Sequence, residues 1–403
     1  MSWRKYIGPG PIVAAAFIGP GTVTVCTMAG VNFGFELLWA MLLSIVVTIV
    51  FQEMSARIGL LTQKGLATVL SESLQKGILR YFSIVLILAA IVLGNAAYEA
   101  GNISGAALGL EAVIDTKTLP LGQLKFNLIN QLIGVLAMVL LLTGSFRTIG
   151  NVLTVLVIGM SLAFILTALL SQPNWSDLLL GFVPKANAEN IFTVVALIGT
   201  TVVPYNLFLH ADLVAKKWQQ PEDIRYIRFD TILAVTLGGI VSMAIMVVGK
   251  QGGAGEVSQF SDLAKGIELL MGTGAKYLMA FGFFAAGLTS AMTAPLAAAI
   301  VIANLFGWSS DLKTKNMRLS IAGILLLGLV FSSFGIKPLL LISTAQVANG
   351  ALLPLVTAYI LWLVNRKSLM GNATNSPWLN ILAVGLWLVT LVLGGMGVWK
   401  VLG

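Results

Sequence analysis

Two proline-broken stretches hold the polar chemistry of an otherwise apolar chain: Ile18-Gly19-Pro20-Gly21-Thr22 and Val202-Val203-Pro204-Tyr205-Asn206. Each interrupts a run long enough to cross a bilayer. Proline removes a backbone donor and clashes with the preceding turn, so a helix opens there. Freed amides and carbonyls are tolerated at membrane depth only where they line a cavity. The chemistry this predicts is binding, by backbone dipoles and by Thr22, Thr24, Thr200, Thr201, Tyr205 and Asn206. No nucleophile–base pair and no metal triad stands in the sequence, so an enzyme is not expected.

The elements that position these residues are membrane helices. The 403 residues are 58% hydrophobic and 10% charged, with a mean hydropathy of +0.94, far from the soluble globular range. Apolar stretches of bilayer length predict eleven spans, near 11–30, 36–56, 81–110, 127–144, 149–171, 190–213, 230–249, 274–306, 318–334, 338–364 and 378–401. With a cytoplasmic N-terminus and eleven crossings, the C-terminus lies outside. Of the 24 basic residues, eight then fall outside (Lys117, Lys125, Lys185, Lys250, Lys265, Lys276, Lys337 and Lys400) and the other sixteen inside. That split follows the positive-inside rule. The net charge of +8 therefore records orientation in a cell membrane and not a nucleic-acid partner. The partners expected are the lipid bilayer and a small-ion substrate.

The first apolar run lacks a small-residue cleavage site and is read as a retained helix. The lone cysteine, Cys26, excludes an internal disulfide and reads as a packing residue. The sequence Gly252-Gly253-Ala254-Gly255 reads as an exterior loop, without the Gly-Lys-Ser/Thr of a phosphate loop.

Spans one to five and six to ten each begin with a broken segment. Units of five crossings insert with opposite topology, which predicts an inverted repeat. The organisation expected is a first repeat over 1–171, a second over 172–366 and an extra helix over 367–403. Matching broken helices in the two halves mark the substrate site of such transporters.

These residues also carry a family resemblance. Gly8-Pro9-Gly10 through Gly19-Pro20-Gly21-Thr22, Gly34-Phe35-Glu36-Leu37-Leu38-Trp39, Ser55-Ala56-Arg57-Ile58-Gly59 and Val203-Pro204-Tyr205-Asn206-Leu207-Phe208-Leu209-His210 resemble Nramp-family transporters. The resemblance implies an all-α membrane protein with a LeuT-like five-plus-five inverted repeat, in which substrate binds where helices 1 and 6 unwind. Metal-transporting members have Asp-Pro-Gly-Asn and Met-Pro-His at the two breaks. This chain has Gly19-Pro20-Gly21-Thr22 and Val203-Pro204-Tyr205, so the aspartate, asparagine and methionine ligands become Gly19, Thr22 and Val203. The paired acidic positions of the third helix match Glu99 and Asn102. Gln346, His210 and Arg318 match the family's helix-10 glutamine, helix-6 histidine and helix-9 basic residue.

A dehydrated divalent ion is ordinarily held by several oxygens including carboxylate, with sulfur or imidazole for softer metals. Gly19, Thr22, Val203 and Gln346 supply neither charge nor sulfur, so no conventional divalent metal site is expected. Helix N-termini attract anions, and without the aspartate the amides from Gly21 onward are open. The substrate expected on this basis is a small anion, with bicarbonate the leading example. It would be bound by Gly19, Pro20, Gly21, Thr22, Thr200, Thr201, Val203, Tyr205 and Gln346. The alternative is proton-coupled uptake of Mg²⁺ or Mn²⁺ through a degenerate Nramp site. A sensor or scaffold without transport is a further class.

No cofactor is expected beyond a coupling ion. Ala286-Gly287-Leu288-Thr289-Ser290 resembles the sodium site of LeuT-fold transporters, which predicts Na⁺ held by Phe17, Ile18, Ala286, Thr289 and Ser290. Glu99, His210 and Arg318 are candidates for a proton or cation relay, since acids inside the membrane are costly and ordinarily functional. The plainer alternatives are a Glu99 hydrogen-bonded to Asn95 or Asn102, and a His210 that only packs. Glu53 is expected to pair with Arg57, and Asp212 with Lys216 or solvent.

Overall fold

The computed structural model describes residues 8–74, 77–111, 113–114, 118–121, 124–143, 145–251, 273–334 and 352–402. Helices dominate, with one short antiparallel hairpin of β1 (Thr118–Leu121) and β2 (Leu124–Asn127).

The first span is two helices, α1 (Gly10–Phe17) and α2 (Pro20–Phe33), bent by 56° at the break. Ile18 leaves helical geometry at ψ 66° and Gly19 is extended, while Pro20 opens α2 at a position where its missing amide costs nothing. Helix α3 (Leu38–Thr62) follows, then a short α4 (Leu66–Ser73) and the long α5 (Ile78–Glu111). Beyond the hairpin come α6 (Leu128–Leu142), α7 (Phe146–Leu170) and the surface turn α8 (Trp175–Leu180).

The sixth span is again two pieces, α9 (Ile191–Thr201) and α10 (Pro204–Lys217), opened at Val202-Val203 by Pro204. This second break is gentler, and Ile191–Lys217 runs on as a single apolar span. The remaining helices are α11 (Ile224–Gln251), α12 (Thr273–Phe306), α13 (Lys315–Ser332), α14 (Leu352–Val364), α15 (Lys367–Met370) and α16 (Pro377–Leu402).

Among the described residues eight helices are long and apolar enough to cross a membrane, or nine with the bent α1–α2 pair. The sequence-based number of eleven is therefore not reached by length alone. Helices α6 and α14, where the fourth and tenth spans are expected, are shorter apolar helices. The first part of that tenth span, with Gln346, lies outside the described residues, as does Gly252-Gly253-Ala254-Gly255. Several helices outrun their apolar stretch. Helix α3 continues from residue 56 to Thr62 because Arg57 is buried and neutralised, bonding Glu53 at 2.9 Å, Asn375 at 2.7 Å and the Ala373 carbonyl at 2.8 Å.

Helix α12 is the central post. Its apolar window is 94% buried, against 24% for α16, which faces outward. It packs along α5 and α7, while α2 lies along α11 and α3 along α10. Two glycines set those last distances: a Cβ at Gly30 would run into the Met246 carbonyl of α11, and one at Gly59 into the Ala211 carbonyl of α10.

Candidate substrate site

The two breaks meet in the core. Gly19, Pro20, Gly21, Thr22, Thr200, Thr201, Val203 and Tyr205 are all buried, with Gly19 and Val203 in the opened backbone and the others in the helix turns that adjoin it. The last turn of α1 would leave its carbonyls without intrahelical partners. They find them in side chains instead. Thr22 donates to the Phe17 carbonyl, Tyr205 Oη to that of Ala16 at 3.0 Å, and Ser290 Oγ reaches that of Ala15 at 3.5 Å. Asn206 Nδ2 donates to the Val13 carbonyl at 3.1 Å.

The breaks are also joined directly, with Thr22 Oγ1 and Thr200 Oγ1 2.8 Å apart. A hydroxyl has one proton and two acceptor sites. With the Thr22 proton directed to Phe17, Thr200 is the donor of that pair. Thr201 stands aside, its hydroxyl turned back on the Leu197 carbonyl at 3.0 Å. Val203 is buried and contributes no polar side-chain atom.

Of the α12 residues expected to hold sodium, Ser290 is the one whose side chain reaches α1. Ser290 on α12 sits against Gly19, where an added Cβ would strike its Oγ, and the Asn102 Oδ1 of α5 lies 3.9 Å from that position. Thr289 Oγ1 donates to Ala286 within its own helix at 2.9 Å. Phe17 and Ile18 are buried at the end of α1.

Of the three relay candidates, two are in the core and one is not. Glu99 is fully buried on α5; Oε2 accepts from Asn102 at 3.4 Å, and Oε1 has no partner among the described residues. Tyr98, its neighbour, meets the Tyr205 ring edge-on at 5.8 Å. His210 is fully buried on α10 and its Nδ1 lies 2.8 Å from Gln52 Oε1. Because that oxygen only accepts, Nδ1 carries the proton, which leaves Nε2 as an acceptor with no partner among the described residues. Arg318 is exposed in the first turn of α13. The residue of α13 that packs on Glu99 is Gly328, roughly 15 Å further along the helix at 1.5 Å per residue.

The plainer pairings expected for Glu53 and Asp212 are present: Glu53 binds Arg57 at 2.9 Å and Asp212 binds Lys216 at 2.7 Å. Sequence reasoning missed Gln52, whose signal was a lone amide inside the apolar run of α3. Among the described residues no three His, Cys, Asp or Glu side chains come together in one cluster.

Against known proteins, the family model for natural resistance-associated macrophage protein-like transporters matches residues 10–400. The chain is a member of the Nramp family. Nramp relatives include the divalent metal cation transporter MntH of Nostoc sp., 28% identical over 99% of this chain and 92% of that protein. A crystal structure of a histidine-to-alanine mutant of the Eremococcus coleocola manganese transporter superposes with a TM-score of 0.81 at 20% identity, covering 96% of this chain and 85% of that one. MhsT in complex with L-phenylalanine superposes with a TM-score of 0.67 at 15% identity, covering 97% of this chain and 98% of that one. The fold of this Nramp protein is thus helical apart from the short β1–β2 hairpin, and LeuT-like.

These relatives overturn the expectation of a small anion such as bicarbonate, because they are divalent metal cation transporters. The structure supplies the physical reason. Thr22, Tyr205 and Asn206, three of the side-chain donors expected to bind an anion, are directed to α1 carbonyls, and Thr201 is turned back on the Leu197 carbonyl. Donors so engaged turn acceptor lone pairs, not protons, toward any solute, and a buried carboxylate stands close by.

Proposed function

We propose that this Nramp protein is a secondary active transporter of a divalent metal cation, Mg²⁺ or Mn²⁺, coupled to protons. The ion would bind where the α1–α2 break faces the α9–α10 break. Family membership and the divalent metal cation transport of a relative similar over nearly the whole chain support this reading. The observation that carries it is the group of carbonyl oxygens at the end of α1, with Asn102 standing between the Gly19 position and Glu99, whose Oε1 has no partner among the described residues.

Neutral ligands fit a cation that keeps much of its water. Mg²⁺ sheds water reluctantly, and carrying its hydration shell avoids a desolvation cost of several kcal/mol or more, in the manner known for buried ions. Gly19, Pro20, Gly21, Thr22, Thr200, Val203 and Tyr205 would line this wetter site. Glu99 and His210 would carry the proton, each with one free acceptor atom in the core. Phe17, Ile18, Ala286, Thr289 and Ser290 remain the candidates for a sodium ion, favoured by the approach of Ser290 to the α1 carbonyls. The protein would sit in the cell membrane as a multi-pass transporter with its N-terminus in the cytoplasm, one helix bundle rocking against the other around the site.

Proteoliposomes loaded with a metal-sensitive dye test the proposal. Uptake of Mn²⁺ or Mg²⁺ with parallel acidification of the lumen is the expected result. Vesicles that admit neither ion under an inward proton gradient would overturn it.

A further inference from the structure

The motif Gly8-Pro9-Gly10 plays no part in the substrate site, yet it is closely engaged. Asp230, on α11, accepts from the amide of Gly8 at 2.9 Å and from that of Gly10 at 2.8 Å. Its carboxylate is buried, at 4% exposure. These amides belong to the start of α1, where a helix leaves its donors without internal partners. The residue at the cap position is Pro9, which offers no side-chain acceptor. Asp230 supplies one from a helix 220 residues away.

The fit admits only glycine. A Cβ on Gly10 would lie 2.7 Å from Asp230 Oδ1, and one on Gly8 would run into the Trp218 ring. Helix α11 is itself tied to α3 nearby, through Arg228 and Glu53 at 2.9 Å. Helix α1 is eight residues long, too short to be stable alone, and it ends at the Ile18-Gly19 break. It is an arm with a pivot at one end and Asp230 at the other.

We propose that Asp230 is a positioning residue for transport: it latches the α1 arm to α11, and release of the bound ion toward the Gly8 end of the bundle requires both hydrogen bonds to break. This inference rests on the transport reading above.

The test uses the full chain in proteoliposomes, with Cys26→Ser as background and single reporters Ala14→Cys on α1 or Met28→Cys on α2. A water-soluble maleimide reads accessibility, and uptake of Mn²⁺ and Mg²⁺ is followed alongside. Asp230→Ala should raise the labelling rate at position 14 about tenfold, equivalent to about 1.4 kcal/mol, without raising the rate at position 28. Gly10→Ala, which displaces the carboxylate from the other side, should do the same, and Asp230→Asn, which keeps one acceptor oxygen, should fall between. An unchanged rate at position 14, or an equal rise at both reporters, would overturn the latch. Should Asp230→Ala fail to fold, Gly10→Ala and Asp230→Asn decide the matter. If the parent takes up neither Mn²⁺ nor Mg²⁺ but the labelling pattern holds, the metal reading fails and the latch stands.

Discussion

Thr22 and Thr200 bring their hydroxyls within 2.8 Å of each other, joining the first turn of α2 to the last turn of α9 across the two breaks. The contact also fixes the Thr22 proton on the Phe17 carbonyl. Thr22→Val keeps the shape of the side chain but removes both bonds in a fully buried place. Leaving buried acceptors unpaired costs about 1–3 kcal/mol. A lowered thermal unfolding midpoint in detergent and slower Mn²⁺ uptake are expected, and Thr22→Ser should restore both.

Glu99 is a fully buried acid whose Oε2 accepts from Asn102 at 3.4 Å, while Oε1 has no partner among the described residues. Glu99→Gln preserves its volume and can still bond Asn102, so the fold should persist. Proton movement accompanying metal uptake should fall at least about tenfold, consistent with the 10²–10⁴-fold worth of a positioned proton-transfer group. A pH-sensitive dye inside the vesicles reads the effect. Equal acidification in the variant and the parent would remove Glu99 from the relay.

Much of this was legible in the sequence, and the limits have physical causes. Pro20 and Pro204 announce the breaks because no helix can bond through them, and both breaks are where they were expected. The sign of the substrate was misread because residue type does not reveal where a hydroxyl sends its proton. Thr22 and Tyr205 count as donors on paper, but the fold points them at the Phe17 and Ala16 carbonyls. Asp230 drew no notice in the sequence, since its partners Gly8 and Gly10 are more than 200 residues away. Gln52 was hidden for the same reason, its partner His210 lying on another helix. Arg318, carried over from the family pattern, stays at the surface because it occupies the first turn of α13.

The sodium assignment turns on two hydroxyls of α12. Ser290 reaches α1, whereas Thr289 is bonded within its own helix. In the Thr289→Ala, Ser290→Ala double variant, any stimulation of Mn²⁺ uptake by sodium should vanish while sodium-free uptake persists. Initial rates measured with sodium replaced by choline decide this. Stimulation that survives the double substitution would place the coupling ion elsewhere.

Gly19 stands where the family resemblance implies an aspartate, so its replacement tests what a carboxylate would do at this break. In Gly19→Asp the new side chain meets Ser290 Oγ as soon as it leaves the backbone, with Asn102 Oδ1 just beyond. Crowding a packed core typically costs about 1–3 kcal/mol, and here a new buried carboxylate is added without a partner. The single variant should therefore unfold earlier and transport poorly. Adding Ser290→Ala removes the obstructing oxygen and gives the carboxylate room to face the cavity. A charged ligand compensates dehydration of a bound cation, which neutral oxygens do less well. The double variant should accordingly recover stability and shift preference from Mg²⁺ toward Mn²⁺, the ion that more readily exchanges water for protein ligands. Competition of each metal against Mn²⁺ uptake measures the shift. A double variant as crowded and as unselective as Gly19→Asp alone would show that Ser290 is not what keeps a carboxylate out of this site.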